Sequence, residues 1–146
     1  MKDGTRFYIA ASLADAHVHN AVRDALHRLG HQITYDWTSH GGVFREGLER
    51  LREVAVAELA GIEAADYIVV LLPGGRGTHT ELGFALAHGK PALMLASRDE
   101  PDIFEPVERT CAFYHHPLVV RCHYLADVLD AASALPDRAQ LDGQGL

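Results

Sequence analysis

The chain has 146 residues, enough for one compact domain and short for two. Its 48% hydrophobic content supplies a sizeable core, and a net charge of -7 lacks the basic face that general nucleic-acid binding needs. Small anionic substrates are not excluded, because a ring of backbone amides and one arginine can outweigh the mean charge locally.

"RFYIAAS" (Arg6–Ser12) is a short apolar run ending in small residues, the pattern of a buried strand. From Asp15 to Leu29 the apolar residues Val18, Ala21, Val22, Ala25, Leu26 and Leu29 form a helical stripe. "HQITYDW" (His31–Trp37) reads as a second strand, and "TSHGGVF" (Thr38–Phe44) as a loop with paired glycines. Glu46 to Ala65 is helical, with Leu48, Leu51, Val54, Ala55, Leu59 and Ile62 on one side.

"DYIVVLLP" (Asp66–Pro73) is the most apolar strand and is placed at the centre, covered on both faces. A glycine-rich turn and a helix to about His88 follow it. "PALMLAS" (Pro91–Ser97) and "LVVRC" (Leu118–Cys122) are two further strands, separated by a long loop of mixed polarity. A helix from Tyr124 to Leu135 comes last.

Strands alternating with helices predict an α/β domain. Its expected form is a Rossmann-like or flavodoxin-like doubly wound five-stranded parallel sheet, order 2-1-3-4-5, in three layers. Residues 1–135 are read as this single domain and 136–146 as a polar tail that frays. Such sheets bind ligands at the carboxyl ends of their strands, here the loops Ala10–Ala14, Asp36–Arg45, Pro73–Thr80 and Ser97–Asp102.

No apolar run approaches the length of a membrane span, so no membrane partner is expected. The start "MKDGTRFYIAAS" carries charge where a secretory signal needs an apolar run. Cys111 and Cys122 lack metal-finger spacing, and a reducing cytoplasm with both thiols free is the expectation. The ten histidines look metal-like at first sight. Yet His17/His19 and His115/His116 are not at the i, i+4 spacing of a helical zinc pair, and no cysteine cluster accompanies them. They are read as solvated or capping groups, with no metal and no cofactor.

The turn "PGGRGTHTE" carries the chemistry. Glycines let a ligand approach backbone amides closely, and the helix start offers unpaired N–H groups to an anion. It is neither the dinucleotide fingerprint nor a P-loop. One reading is a capping box with Thr78 at the N-cap and Glu81 at N3. The other makes Gly74, Gly75, Arg76, Gly77 and Thr78 a substrate-binding turn, which also accounts for the three glycines and the arginine. Glu58 is either a solvated helix residue or a second acid two turns before the central strand. Tyr8 is a core aromatic or a catalytic phenol, and Trp37 is core or a surface on which a base stacks.

"FYIAAS", "TYDWT", "ELAGIEAADYIVVLLPGG" and "GTHTELGFALAHGKP" resemble the nucleoside 2-deoxyribosyltransferase family and its relatives, the 2′-deoxynucleoside 5′-phosphate N-hydrolases. The resemblance spans roughly Arg6 to Leu95, and the ELG-x-ALA-x-GK block from Glu81 to Lys90 is its most specific part. It implies that Glu81 is the nucleophile attacking the anomeric carbon, that Tyr8 orients it, and that Glu58 assists at the base. It also implies that Ser12 contacts a 5′-phosphate in the manner of the hydrolase branch. Glu58 stands where the family has an aspartate, and Gly75 where the transferases have a base-recognising aspartate. "PGG-x-GT-x-x-E" resembles a second family, the Lonely Guy phosphoribohydrolases, in which the glycines and Thr78 would cradle a phosphate. The glycine-rich segment that family carries after its first strand is "AASLAD" here.

Both resemblances imply cleavage of an N-glycosidic bond in a nucleoside or nucleoside 5′-monophosphate. The departure at Gly75, with Arg76 in the turn, favours hydrolysis over base transfer. They further imply a homodimer or larger homo-oligomer in which a neighbour's loop completes each pocket. The rival from another class is a nucleotide-binding sensor that keeps the pocket without turnover. The two part on whether Glu58, Glu81 and Tyr8 converge on one cavity.

Overall fold

The computed structural model describes residues 4–136. Five strands, β1 (Arg6–Ala10), β2 (Gln32–Ile33), β3 (Tyr67–Leu71), β4 (Ala92–Leu95) and β5 (Val119–Cys122), form one sheet in the order β2-β1-β3-β4-β5. Every neighbouring pair is parallel, with Tyr8 opposite Ile68 and Val70 opposite Met94. Four helices connect the strands: α1 (Ala16–Arg28), α2 (Leu48–Ala64), α3 (Arg76–Ala87) and α4 (Leu125–Ala134). The sheet order is the one that the alternating pattern predicts. The expected tail lies, apart from Pro136, outside the described residues.

Side chains alternate across each strand, so the sheet divides two cores. Tyr8, Ala10, Ile68, Val70 and Met94 face α2 and α3, where Ile62, Leu82 and Ala85 meet them. Phe7, Ile9, Val69 and Leu93 face α1 and α4, against Val22, Leu26 and Val128. β3 is buried along its whole length, as a central strand with helices on both faces must be. The long loop before β5 closes the first core with Ile103 and Tyr114.

β2 is far shorter than the run from His31 to Trp37 predicts. The Thr34 N–H still pairs with the Phe7 carbonyl at 2.9 Å, but Thr34 Oγ1 turns to the Gly61 carbonyl at 2.6 Å. Asp36 then accepts from the Thr38 N–H at 3.0 Å and starts a 3-10 turn over Trp37–Ser39. Trp37 leaves the ladder for the core, donating its indole N–H to the Ile9 carbonyl at 2.9 Å. A side-chain cap and a buried indole thus outweigh the strand propensity of "ITYDW".

α2 also departs from its expected stripe. Val54, Gly61 and Ile62 are buried, whereas Leu48 and Val56 are 70% and 71% exposed. Gly61 is the close-approach point: a Cβ there would lie 2.7 Å from Tyr35 Cβ and 3.3 Å from the Tyr8 ring.

Candidate active site

The carboxyl ends of β1 and β3 and the start of α3 converge in sequence order. After β3 the chain turns through Pro73, Gly74 and Gly75. Gly74 has φ +65°, and a Cβ on it would sit 2.7 Å from Thr78 Cγ2, so this position admits only glycine without strain. Gly75 and Gly77 leave open space where a side chain would project. Thr78 is buried, and its Oγ1 accepts from the Gly75 N–H at 3.1 Å. The cap is therefore Gly75 with Thr78 at N3, one turn earlier than the capping box that places Glu81 at N3. The first-turn amides of Arg76, Gly77 and Thr78 precede the first i→i−4 bond of the helix, from the His79 N–H to the Gly75 carbonyl. Arg76 is exposed and has no hydrogen bond or ion pair to another described side chain.

Relieved of capping, Glu81 lies in the second turn of α3 and points at the sheet. It is 7% exposed, and the Tyr8 hydroxyl, on β1 across the sheet from the α1 side, donates to its Oε2. Burial raises the Glu81 carboxyl, the Tyr8 hydrogen bond pulls it back, and the negative charge of Glu58 raises it again, leaving it at about 8. Burial, Glu81 and Glu58 all push the Tyr8 phenol well above its ordinary range, so it stays a donor. Glu58 is half-buried on α2. Burial raises its carboxyl, and His40 opposes the shift. The structure thus brings Tyr8 and Glu81 into contact and Glu58 into their electrostatic reach.

The remaining expected residues are distributed around this pair. Ser12, just past β1, donates to Asp15 Oδ2 at 3.2 Å. Trp37 takes the core alternative: it is buried, with the His19 ring edge-on at 4.9 Å. A cavity of about 510 Å³ opens at the same sheet edge on the opposite face, between α1 and α4, over Val22, Leu71 and Leu95. None of Tyr8, Glu58 or Glu81 lines it. Among the described residues no group of three or more histidines, cysteines or carboxylates is placed to hold a metal ion. No helix among them is long and apolar enough to cross a membrane.

Four residues escaped the sequence reading. Tyr35 and His40, on the loop after β2, are joined at 2.7 Å, and burial and Glu58 together raise the Tyr35 phenol. His79 bonds the Gly75 carbonyl at 2.8 Å and the Tyr114 hydroxyl at 2.7 Å, tying the long loop to the glycine turn. The one available signal was position: "TYDWTSH" lies at a strand's carboxyl end, where side chains reach a ligand.

The fold is thus an open parallel α/β sheet with a buried glutamate–phenol pair at its carboxyl edge, beside a glycine-rich helix start. The chain belongs to the nucleoside 2-deoxyribosyltransferase family, whose family model matches residues 7–115. Among solved structures it is similar to the Clostridium botulinum CMP N-glycosidase BcmB, at a TM-score of 0.59 and 16% identity. That match covers 88% of this chain and 98% of the other, and at this identity it speaks for the fold. No curated protein matches the chain.

Proposed function

We propose that the chain cleaves the N-glycosidic bond of a nucleoside or nucleoside 5′-monophosphate, with Glu81 as the attacking carboxylate. The observation that carries this reading is the buried Glu81 held by the Tyr8 hydroxyl at the carboxyl edge of the sheet. Breaking the C1′–N bond builds oxocarbenium character on the sugar, which a fixed carboxylate stabilises or captures as an ester. Tyr8 aims one oxygen of Glu81 and leaves the other for C1′.

Glu58 is assigned to the leaving base. Its raised carboxyl retains a proton to higher pH than a solvated glutamate, as a general acid requires. In the second half-reaction the resulting carboxylate takes a proton from the water that opens the ester. The turn 74–78 is assigned to the 5′ end of the substrate, with open space before Gly75 and Gly77 and Arg76 free to pair with an anion. Family membership supports the reaction class, and the structural neighbour's name, a CMP N-glycosidase, puts nucleoside monophosphates among the substrates to be tried. Gly75, in place of the base-reading aspartate of the transferases, favours water over a second base as acceptor.

The test is a panel of ribo- and deoxyribonucleosides and their 5′-monophosphates, with base release followed by chromatography. Mass spectrometry of quenched reactions should find a glycosyl adduct on Glu81. Base release that persists undiminished in Glu81→Ala rejects the assignment. Ligand binding with no release from any member supports the sensor reading instead.

A further inference from the structure

The other face of the sheet carries a site that the Glu81 chemistry leaves unused. The cavity of about 510 Å³ opens at the carboxyl edge, where α1 and α4 both begin. Its size is that of a small-molecule site, and strand carboxyl ends are where doubly wound sheets bind ligands. Tyr8 and the α3 helix that bears Glu81 pack on the opposite side of the sheet.

The lining divides into an apolar interior and a polar mouth. Val18, Ala21 and Val22 come from α1, Leu71 and Leu95 from the ends of β3 and β4, and Leu125 from α4. No polar side chain stands among these six. A nucleobase buried there would give up the water on its ring nitrogens and exocyclic groups with no side-chain partner in return. The interior therefore selects against a second copy of a nucleoside and for an apolar body.

At the mouth, Arg98, His17 and His123 are exposed, and the Tyr124 ring, 73% exposed, offers a face to stack on. The acids there are engaged. Asp15, at the N-cap position of α1, accepts from the Ser12 hydroxyl at 3.2 Å, and the positive end of the helix offsets its charge. Asp127, on α4 beside the mouth, accepts from the Tyr124 N–H at 3.1 Å. Arg98 has no hydrogen bond or ion pair to another described residue. A permanent cation is thus left over at the mouth, on a chain whose net charge is -7.

We infer that this cavity binds an amphipathic organic anion, an apolar ring system that fills the interior and carries one anionic group to Arg98. The site stands independently of the glycosidase reading, since Tyr8, Glu58 and Glu81 take no part in it.

Two dyes of the same ring system test this in the full chain, anilinonaphthalene sulfonate and its neutral parent N-phenylnaphthylamine, both followed by fluorescence. Wild-type protein should bind one molecule of either dye per chain. Ala21 is exposed on α1 and lines the cavity, so Ala21→Trp fills the space without entering the core. It should weaken both dyes by about tenfold or more. Arg98→Ala should weaken the sulfonate alone, by about fivefold or more. Intermolecular NOEs should connect the bound sulfonate to the methyl groups of Val22 and Leu95, and cytidine monophosphate should not displace it. No saturable binding to the wild type overturns the inference. Sulfonate binding that survives Ala21→Trp, or that is lost in Leu48→Glu with Val56→Glu, moves the dye to the exposed strip of α2 and overturns it too. Equal weakening of both dyes in Arg98→Ala overturns the choice of an anion, and displacement by the nucleotide overturns the choice of an apolar body.

Discussion

At the residue scale Glu81 decides most. Its burial changes what its replacement does: a solvated acid near a helix start contributes about 1 kcal/mol, but a buried carboxyl at about 8 carries a pH-dependent cost. The folded value lies above the ordinary 4.5, so the native state binds the extra proton. Stability from this group is full below about pH 4.5 and is lost as pH rises through about 8. Urea midpoints of the wild type should therefore fall between pH 5 and pH 9, at up to about 1.4 kcal/mol per pH unit, and Glu81→Gln should flatten that slope. A slope unchanged by the substitution would mean that Glu81 titrates like a surface acid. The same variant should keep its fold and lose base release by about a thousandfold or more. Ionised Glu81 is the nucleophile and protonated Glu58 the acid, so kcat/KM should follow a bell-shaped profile with the Glu81 ionisation setting one limb near pH 8. Tyr8→Phe removes the hydrogen bond that pulls the Glu81 value down, and should push that limb to higher pH. A limb that moves down in Tyr8→Phe contradicts the geometry.

At the element scale, the parallel order was legible because β1, β3 and β4 are continuous apolar runs and α1 and α3 are bounded by turn residues. Glu81 and Tyr8 were legible only through a motif, since nothing in local periodicity says that a residue on strand one meets one 73 positions later. The failures share a cause. β2, Trp37 and the Tyr35–His40 pair are set by contacts with β1 and α2, and propensity does not encode such contacts. Gly61 is one of them, invisible as a helix-interior glycine and yet the point where α2 meets Tyr8 and Tyr35. Gly61→Ala should lower stability by about 1–3 kcal/mol through overpacking, although alanine is the better helix former, and lower turnover by shifting Glu58. A stabilised Gly61→Ala protein would show that α2 can move away freely. The glycine turn makes a different prediction. Arg76 is exposed at the start of α3, so Arg76→Ala should leave stability within about 0.5 kcal/mol. It should weaken 5′-monophosphate substrates by about tenfold or more while sparing free nucleosides, a charge-assisted bond being worth about 1.5–3 kcal/mol. Equal weakening of both substrate classes would remove Arg76 from the phosphate site.

At the scale of the whole molecule, one chain leaves apolar surface that its own sheet does not cover. Phe44 is 68% exposed, Leu48 70% and Val56 71%, and Leu51 is exposed beside them. Leu48 and Ala55, both exposed, lie at helical spacing on α2, while Leu59 packs partly against the core, so the apolar stripe is wider than the face packed on the sheet. That stripe lies on the helix that also carries Glu58. A contiguous exposed apolar strip beside a candidate site is the mark of an interface. We expect a homodimer at least, built on α2, with a neighbour's residue near the 5′ end of the substrate. An obligate interface of this kind buries more than about 2,000 Å² in total. Placing charges at its centre, in Leu48→Glu with Val56→Glu, should dissociate the assembly, since the loss of central apolar anchors costs about 2 kcal/mol or more each. Base release should fall together with the dimer, while the far-ultraviolet circular dichroism of each chain stays the same. Sedimentation of the wild type as a monomer at micromolar concentration, with full activity, would show that each chain works alone and that α2 serves another partner.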